Sequence, residues 1–224
     1  METKDLMYKR AYVWDKLNAE ERKACMDMGE DYKAFLNESK TERRCAAEII
    51  RRAKEAGFVC ICEKKELKAG DKVYYNNRGK AVMLSVIGSE PLENGMNIVG
   101  SHIDSPRLDI KQNPVYEAGG TTLLKTHYYG GVKKYQWVAL PLALYGVIVK
   151  ANGEKVEIAV GDKCGDPVFY ISDLLPHLAK DQMSKTMSEG EEGESLNILI
   201  GSLPVADTDA TDRFKPALLA ELNA

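Results

Sequence analysis

The stretch that most constrains the fold is Gly95-Met-Asn-Ile-Val-Gly-Ser-His-Ile-Asp-Ser-Pro106. Its apolar run, Met96 to Val99, opens after Asn94-Gly95 and stops at Gly100-Ser101, the pattern of a short strand buried inside a sheet. Two polar side chains, His102 and Asp104, stand at its end. In an extended chain residues i and i+2 share a face, so the two would point the same way. An imidazole at the carboxyl end of a buried strand lies where open α/β sheets bind ligands. A carboxylate two residues on can hold the second ring nitrogen, as metal-ligating histidines require. The competing reading is plainer: His102 is satisfied by a backbone carbonyl, and Asp104 and Ser105 start a turn before Pro106.

The 224 residues suffice for one large domain or two small ones with a proper core. A net charge of −3 offers no basic footprint for nucleic acid. No apolar run approaches the ~20 residues that span a bilayer. The opening Met-Glu-Thr-Lys-Asp lacks the apolar core of a signal peptide. A cytoplasmic address is the expectation, with neither membrane nor nucleic acid as partner. The cysteines at 25, 45, 60, 62 and 164 are expected as reduced thiols, because Cys60-Ile-Cys62 is spaced more tightly than zinc-binding pairs.

Helices come first. Residues 1–30 set Leu6, Tyr12, Val13, Trp14 and Leu17 against Lys, Arg and Glu, with Asn18 and Gly29 as punctuation, predicting one or two amphipathic helices. Residues 39–56 predict another: Ser39 with Glu42 fits a capping box, Thr41 is the alternative cap, and Gly57 is the stop. Cys45, Ala46, Ile49, Ile50 and Ala53 form its apolar stripe. Strands are then expected over Phe58–Cys62, Val73–Tyr75 and Ala81–Ile87, with a hairpin turn at Asn77-Arg-Gly-Lys. Helices followed by closely spaced strands imply a sheet with helices packed on it.

After Pro106 the pattern becomes short strands broken by Gly and Pro: 108–111, 121–126, 140–149, 156–160, 168–171 and 196–200. A mostly β, barrel-like module fits, with a boundary near Ser105–Leu108. Thr126-His-Tyr-Tyr-Gly-Gly-Val-Lys-Lys-Tyr-Gln-Trp137 is aromatic, glycine-rich and basic, suited to packing on a neighbour or bordering a site. Ser172-Asp-Leu-Leu-Pro-His-Leu-Ala-Lys predicts a helix start with Pro176 in its first turn, leaving His177 as a capping, core or site histidine. Residues 182–194 read as a flexible acidic loop, and the tail from Thr211 as a helix.

Ser101-His-Ile-Asp-Ser-Pro-Arg-Leu108, Tyr129-Gly-Gly-Val-Lys-Lys-Tyr-Gln-Trp137, Pro141-Leu-Ala-Leu144, Leu175-Pro-His-Leu-Ala179 and the upstream Tyr74-Tyr-Asn-Asn-Arg-Gly-Lys80 occur in one order. Together they resemble the aspartyl aminopeptidase/aminopeptidase I family of zinc metallopeptidases. The resemblance implies an α/β fold: 1–106 as the N-terminal part of a catalytic domain with helices and part of a mixed sheet, and 107–224 as an incomplete β-rich oligomerisation domain. It implies a dinuclear centre of zinc, with other divalent metals as the alternative, peptide substrates and a homo-oligomer. His102 would be a metal ligand, Asp104 its orienting catalytic carboxylate, and His177 a residue at the subunit interface near the active site. Family members are about twice this length, and their remaining ligands and catalytic glutamate lie beyond residue 224.

A hydrolytic zinc centre keeps about three protein ligands and an open position for water. Of three histidines here, only His102 stands in a ligand-like motif, and Glu191-Glu192 lies in the acidic loop. The sequence thus reads as the N-terminal part of a metal-dependent aminopeptidase, inactive alone. The alternatives are a non-catalytic oligomerisation or regulatory module on the same scaffold, and an unrelated hydrolase.

Overall fold

A computed structural model of the chain describes residues 7, 8, 10–206 and 214. Leu6 of the first amphipathic pattern and, save Phe214, the tail helix expected from Thr211 lie outside the described residues. The chain divides into two compact units, Met1–Ile103 and Asp104–Ala224. It is an α/β protein with small sheets, none of them closed among the described residues.

In the first unit a short helix α1 (Val13–Lys16) precedes α2 (Ala19–Glu38). Asn18 caps α2 with a reciprocal box: its Oδ1 accepts the Glu21 N–H at 2.9 Å and Glu21 Oε2 accepts the Asn18 N–H at 2.8 Å. Gly29, expected to punctuate, lies inside this helix, because the cap and the flanking helix formers outweigh one glycine's cost of about 1 kcal/mol. Helix α3 (Glu42–Glu55) is capped by Thr41, whose Oγ1 accepts the Arg44 N–H at 3.3 Å. It ends in a Schellman motif: the Phe58 N–H donates to the Ala53 carbonyl and the Gly57 N–H to the Lys54 carbonyl. That closure needs φ of +85° at residue 57, which glycine adopts without strain.

Cys45, Ala46 and Ala53 are the buried stripe of α3. It packs on a three-stranded mixed sheet: β1 (Val59–Cys60) parallel to β2 (Lys72–Asn77), and β2 antiparallel to β3 (Ala81–Val86). Val73 and Tyr74 of β2 complete this core. The β2–β3 turn has Arg78 and Gly79 both at positive φ, the primed turn that matches strand twist. Strand β1 is shorter than expected, since the chain turns into a 3-10 helix at Ile61–Glu63. All five cysteines are free thiols.

Glu48 joins the helices although it is only 8% exposed. Its carboxylate accepts two bonds from Arg51 and one from Arg52, each 2.7 Å. Arg52 also reaches Asp31 of α2 at 2.6 Å and lies over the Phe35 ring. The Arg51 hydrogen bonds, with help from Arg52, hold the Glu48 carboxyl down at about 2. A carboxyl depressed in the fold stabilises above its unfolded value of about 4.3 and loses that contribution as pH falls toward the folded value. The unfolding midpoint should therefore drop between about pH 4.5 and 2, and Glu48→Gln should flatten that part of a melting-temperature profile. Equal slopes in both proteins would refute the coupling.

The second unit is built on an antiparallel sheet with strand order β4 (Arg107–Ala118), β5 (Thr121–Tyr129) and β8 (Ile198–Gly201). A separate hairpin pairs β6 (Leu144–Val149) with β7 (Lys155–Val160). The segment expected as a strand at 168–171 makes only isolated bridges, Phe169 to Leu142 and Tyr170 to Leu199. Its backbone still stitches the unit together: Leu142 N–H donates to Phe169 O, and Leu199 N–H to Tyr170 O. Leu124, Ile171, Leu196 and Ile198 form the core, with Trp137, Leu142 and Phe169 packed on it.

Two expectations here are corrected. No helix starts at Ser172: Leu175 precedes Pro176 and is biased away from helical backbone, so a single turn forms and α4 runs only over Lys180–Ser184. Residues 182–194 are not a free loop. Thr186 O accepts the Glu189 and Gly190 N–H groups, Gln182 donates to Glu191, and Lys111 binds Glu194 at 2.5 Å.

Candidate functional site

The Gly119-Gly120 turn starts the β4–β5 register, pairing Ala118 with Thr121. A regular ladder from there would set Val132 opposite Arg107. An irregularity between Ile110 and Val115 shifts the pairing, so that Arg107 faces Tyr129 instead. Pro114 lies in this break, where its missing N–H costs the ladder nothing.

That register assembles a local cluster. The Arg107 guanidinium lies 4.0 Å from the Tyr129 ring centroid and donates from Nε to Asp109 Oδ1 at 2.8 Å. The Tyr129 hydroxyl donates to Asp104 Oδ2 at 2.8 Å. Asp104 is half-buried and its carboxylate is held by a ring that is itself held by a cation. Sequence reasoning missed Arg107 and Tyr129 in this role. Both are in the motifs singled out above, but their pairing depends on the irregularity in β4.

The aromatic loop proves to serve its own unit in part. Tyr129 binds Asp104, Tyr128 lies beneath Gly193, and Trp137 packs on the core.

His102 is exposed in a segment without regular secondary structure. The strand expected over Met96–Val99 does not form, and Met96, Ile98 and Val99 are exposed. An apolar run becomes a strand only when another strand takes up its backbone groups. Among the described residues the first sheet ends at β3, and no strand pairs with this run. His177 is exposed too, in the turn at 176–178, so it neither caps a helix nor fills a core.

Among the described residues no group of three or more His, Cys, Asp or Glu side chains stands close enough to hold a metal ion. His102 and Asp104 by themselves would fall short of a catalytic zinc site, which needs about three protein ligands. The described residues therefore do not make a complete metal site. No described helix is long and apolar enough to cross a membrane.

These features define an α/β protein carrying a His-x-Asp element at the junction with a β-rich unit. A family model described as aminopeptidase I zinc metalloprotease (M18) matches residues 35–224. A probable M18 family aminopeptidase 1 of Clostridium acetobutylicum is 48% identical over 223 residues, covering 98% of this chain and 48% of that protein. The crystal structure of an M18 family aminopeptidase from Thermotoga maritima superposes with a TM-score of 0.87 at 41% identity, over 97% of this chain and 47% of that one. Aminopeptidase I from Borrelia burgdorferi gives a TM-score of 0.82 at 43% identity, over 95% and 48%.

The chain belongs to the aminopeptidase I zinc metalloprotease (M18) family. It spans about half the length of the relatives it matches.

Proposed function

We propose that this chain carries the first part of a metal-dependent aminopeptidase, which removes N-terminal residues from peptides once the rest of the family's catalytic machinery is present. The observation that carries the reading is the M18 match over residues 35–224, which includes the His102-x-Asp104 element. Residues 1–106 are then the N-terminal part of the catalytic domain. Residues 107–224 are an incomplete β-rich, barrel-like oligomerisation domain. The exposed Leu174, Leu175 and Leu178 around His177 favour a homo-oligomer with His177 near its interface. Free thiols fit a cytoplasmic address.

Bound zinc, in a dinuclear centre, would polarise the scissile carbonyl and supply a hydroxide nucleophile at neutral pH. His102 would present one neutral ring nitrogen as a ligand. Asp104 would accept from the other, fixing the tautomer, while the Tyr129 hydroxyl keeps the carboxylate from rotating. The further ligands and the carboxylate base are not among the described residues.

The test compares this chain with a fusion that continues it into the second half of the Clostridium acetobutylicum relative. The chain alone should release no N-terminal residues from peptides, because water activation needs a base and a closed ligand set. The folded fusion should do so with added zinc. Metal-dependent turnover by the chain alone, or none by a folded fusion, would refute the reading.

A further inference from the structure

Cys60 and Cys62 stand where β1 ends, and the turn that follows sets them side by side. Cys60 closes the strand with extended backbone, and Ile61 opens the 3-10 helix. The Lys64 N–H donates to the Ile61 carbonyl at 3.1 Å and closes that turn. The separation of Cα atoms i and i+2 is fixed by the dihedrals of the residue between them. Helical backbone at Ile61 therefore holds these two at roughly 5.5 Å, well inside the window of about 4.4–6.8 Å that a disulfide spans. A strand continued through Cys62 would hold them at roughly 6.6 Å, near its upper limit. The side chains meet as well. The Cys62 thiol donates a hydrogen bond to the Cys60 sulfur, and this bond, with repulsion from charge on Cys60, raises Cys62 above the ordinary thiol value. The proton is kept on Cys62, so Cys60 supplies the thiolate, which is the form that attacks. Cys62 is exposed and Cys60 half-buried, whereas Cys45 is buried.

We infer that Cys60 and Cys62 form a reversible dithiol–disulfide site whose reaction partner is a small soluble disulfide such as that of glutathione. The Cys60 thiolate attacks one sulfur of glutathione disulfide, forms a mixed disulfide and expels one glutathione thiolate. Cys62 then gives up its proton to that thiolate and attacks the Cys60 sulfur, forming the Cys60–Cys62 bond and expelling the second glutathione. Two protein thiols are oxidised and one glutathione disulfide is reduced to two glutathiones, which take up the two protons. In a reducing compartment the pair stays open and closes only when the thiol poise turns oxidising, the transient kind of disulfide found there. The site is independent of the peptidase reading and of any metal.

The test exposes the reduced, folded chain to glutathione disulfide and then blocks the remaining thiols with an alkylating agent. Trypsin releases both cysteines in one peptide, Glu55–Lys64, which is followed by mass spectrometry. That peptide should become two hydrogens lighter, and dithiothreitol should restore it. The closed form should exceed the glutathione adduct by roughly tenfold or more, because Cys62 attacks within the molecule. Cys25 and Cys164 are exposed but have no cysteine two positions away, so they should stop at the adduct. Cys62→Ser changes an exposed side chain and should leave an adduct on Cys60 as the sole product at this site. Cys60→Ser should make Cys62 react roughly tenfold more slowly than Cys60 does in Cys62→Ser. A wild-type peptide that stops at the adduct, or is not modified at all, would overturn the inference. So would bonds from either cysteine to a second chain in place of the closed peptide. Equal rates in the two variants would overturn the assignment of Cys60 as the attacking thiolate.

Discussion

His102→Ala in the fusion protein is expected to remove essentially all aminopeptidase turnover and to lower the bound metal by one equivalent, with the fold unchanged. His102 is exposed in this chain, so truncating it opens no cavity in a packed core. If His102 is a direct ligand, as proposed, water in its place supplies no fixed imidazole. Asp104→Asn is a graded companion. It keeps the shape of the side chain and its contact with the Tyr129 hydroxyl through the amide oxygen, but removes the charge that favours a correctly oriented imidazole. Such outer groups typically contribute about 10–100-fold in metal affinity or activity. Metal content by mass spectrometry on folded protein decides the matter independently of turnover. Equal metal in wild type and His102→Ala would return His102 to the plain role of ending one segment and starting a turn.

Leu196→Ala should destabilise the second unit more than any other single truncation in it. Leu196 is 0% exposed and lies among Leu124, Ile171 and Ile198. Its backbone carbonyl is fixed as well, accepting the hydroxyl of the buried Thr126. A leucine held on both counts sits where the surroundings relax least, so the cost should fall high in the range of about 2–5 kcal/mol for buried Leu→Ala. Domains of this size are stable by about 5–15 kcal/mol, so a large share of the margin is lost and the melting temperature should fall by roughly 10 °C or more. Leu203→Ala, at a 73% exposed position, should change it little. Similar shifts in both variants, measured by calorimetry, would show that the unit has no core at Leu196.

The local elements were legible because their causes are local. Asn18, Thr41 and Gly57 fix the helix ends through bonds to residues three to five positions away. The primed turn at Arg78-Gly79 and the Gly119-Gly120 turn are encoded by the residues that form them. The family was legible for a different reason: several motifs in one order specify it far better than any one of them.

What the sequence could not decide were pairings over distance. Leu175 and Pro176 favour a turn over a helix start, yet whether the following residues would still be drawn into a helix depended on the bonds offered by Gln182 and Thr186. The Arg107–Tyr129–Asp104 cluster exists because the break between Ile110 and Val115 shifts the register, and a register is a property of two strands together. The same holds for Met96–Val99. Its residues by themselves determined that the run would be a strand if another strand met it. Tertiary structure alone decides whether one does, because a backbone that forms no bonds within its own segment takes its conformation from its partner.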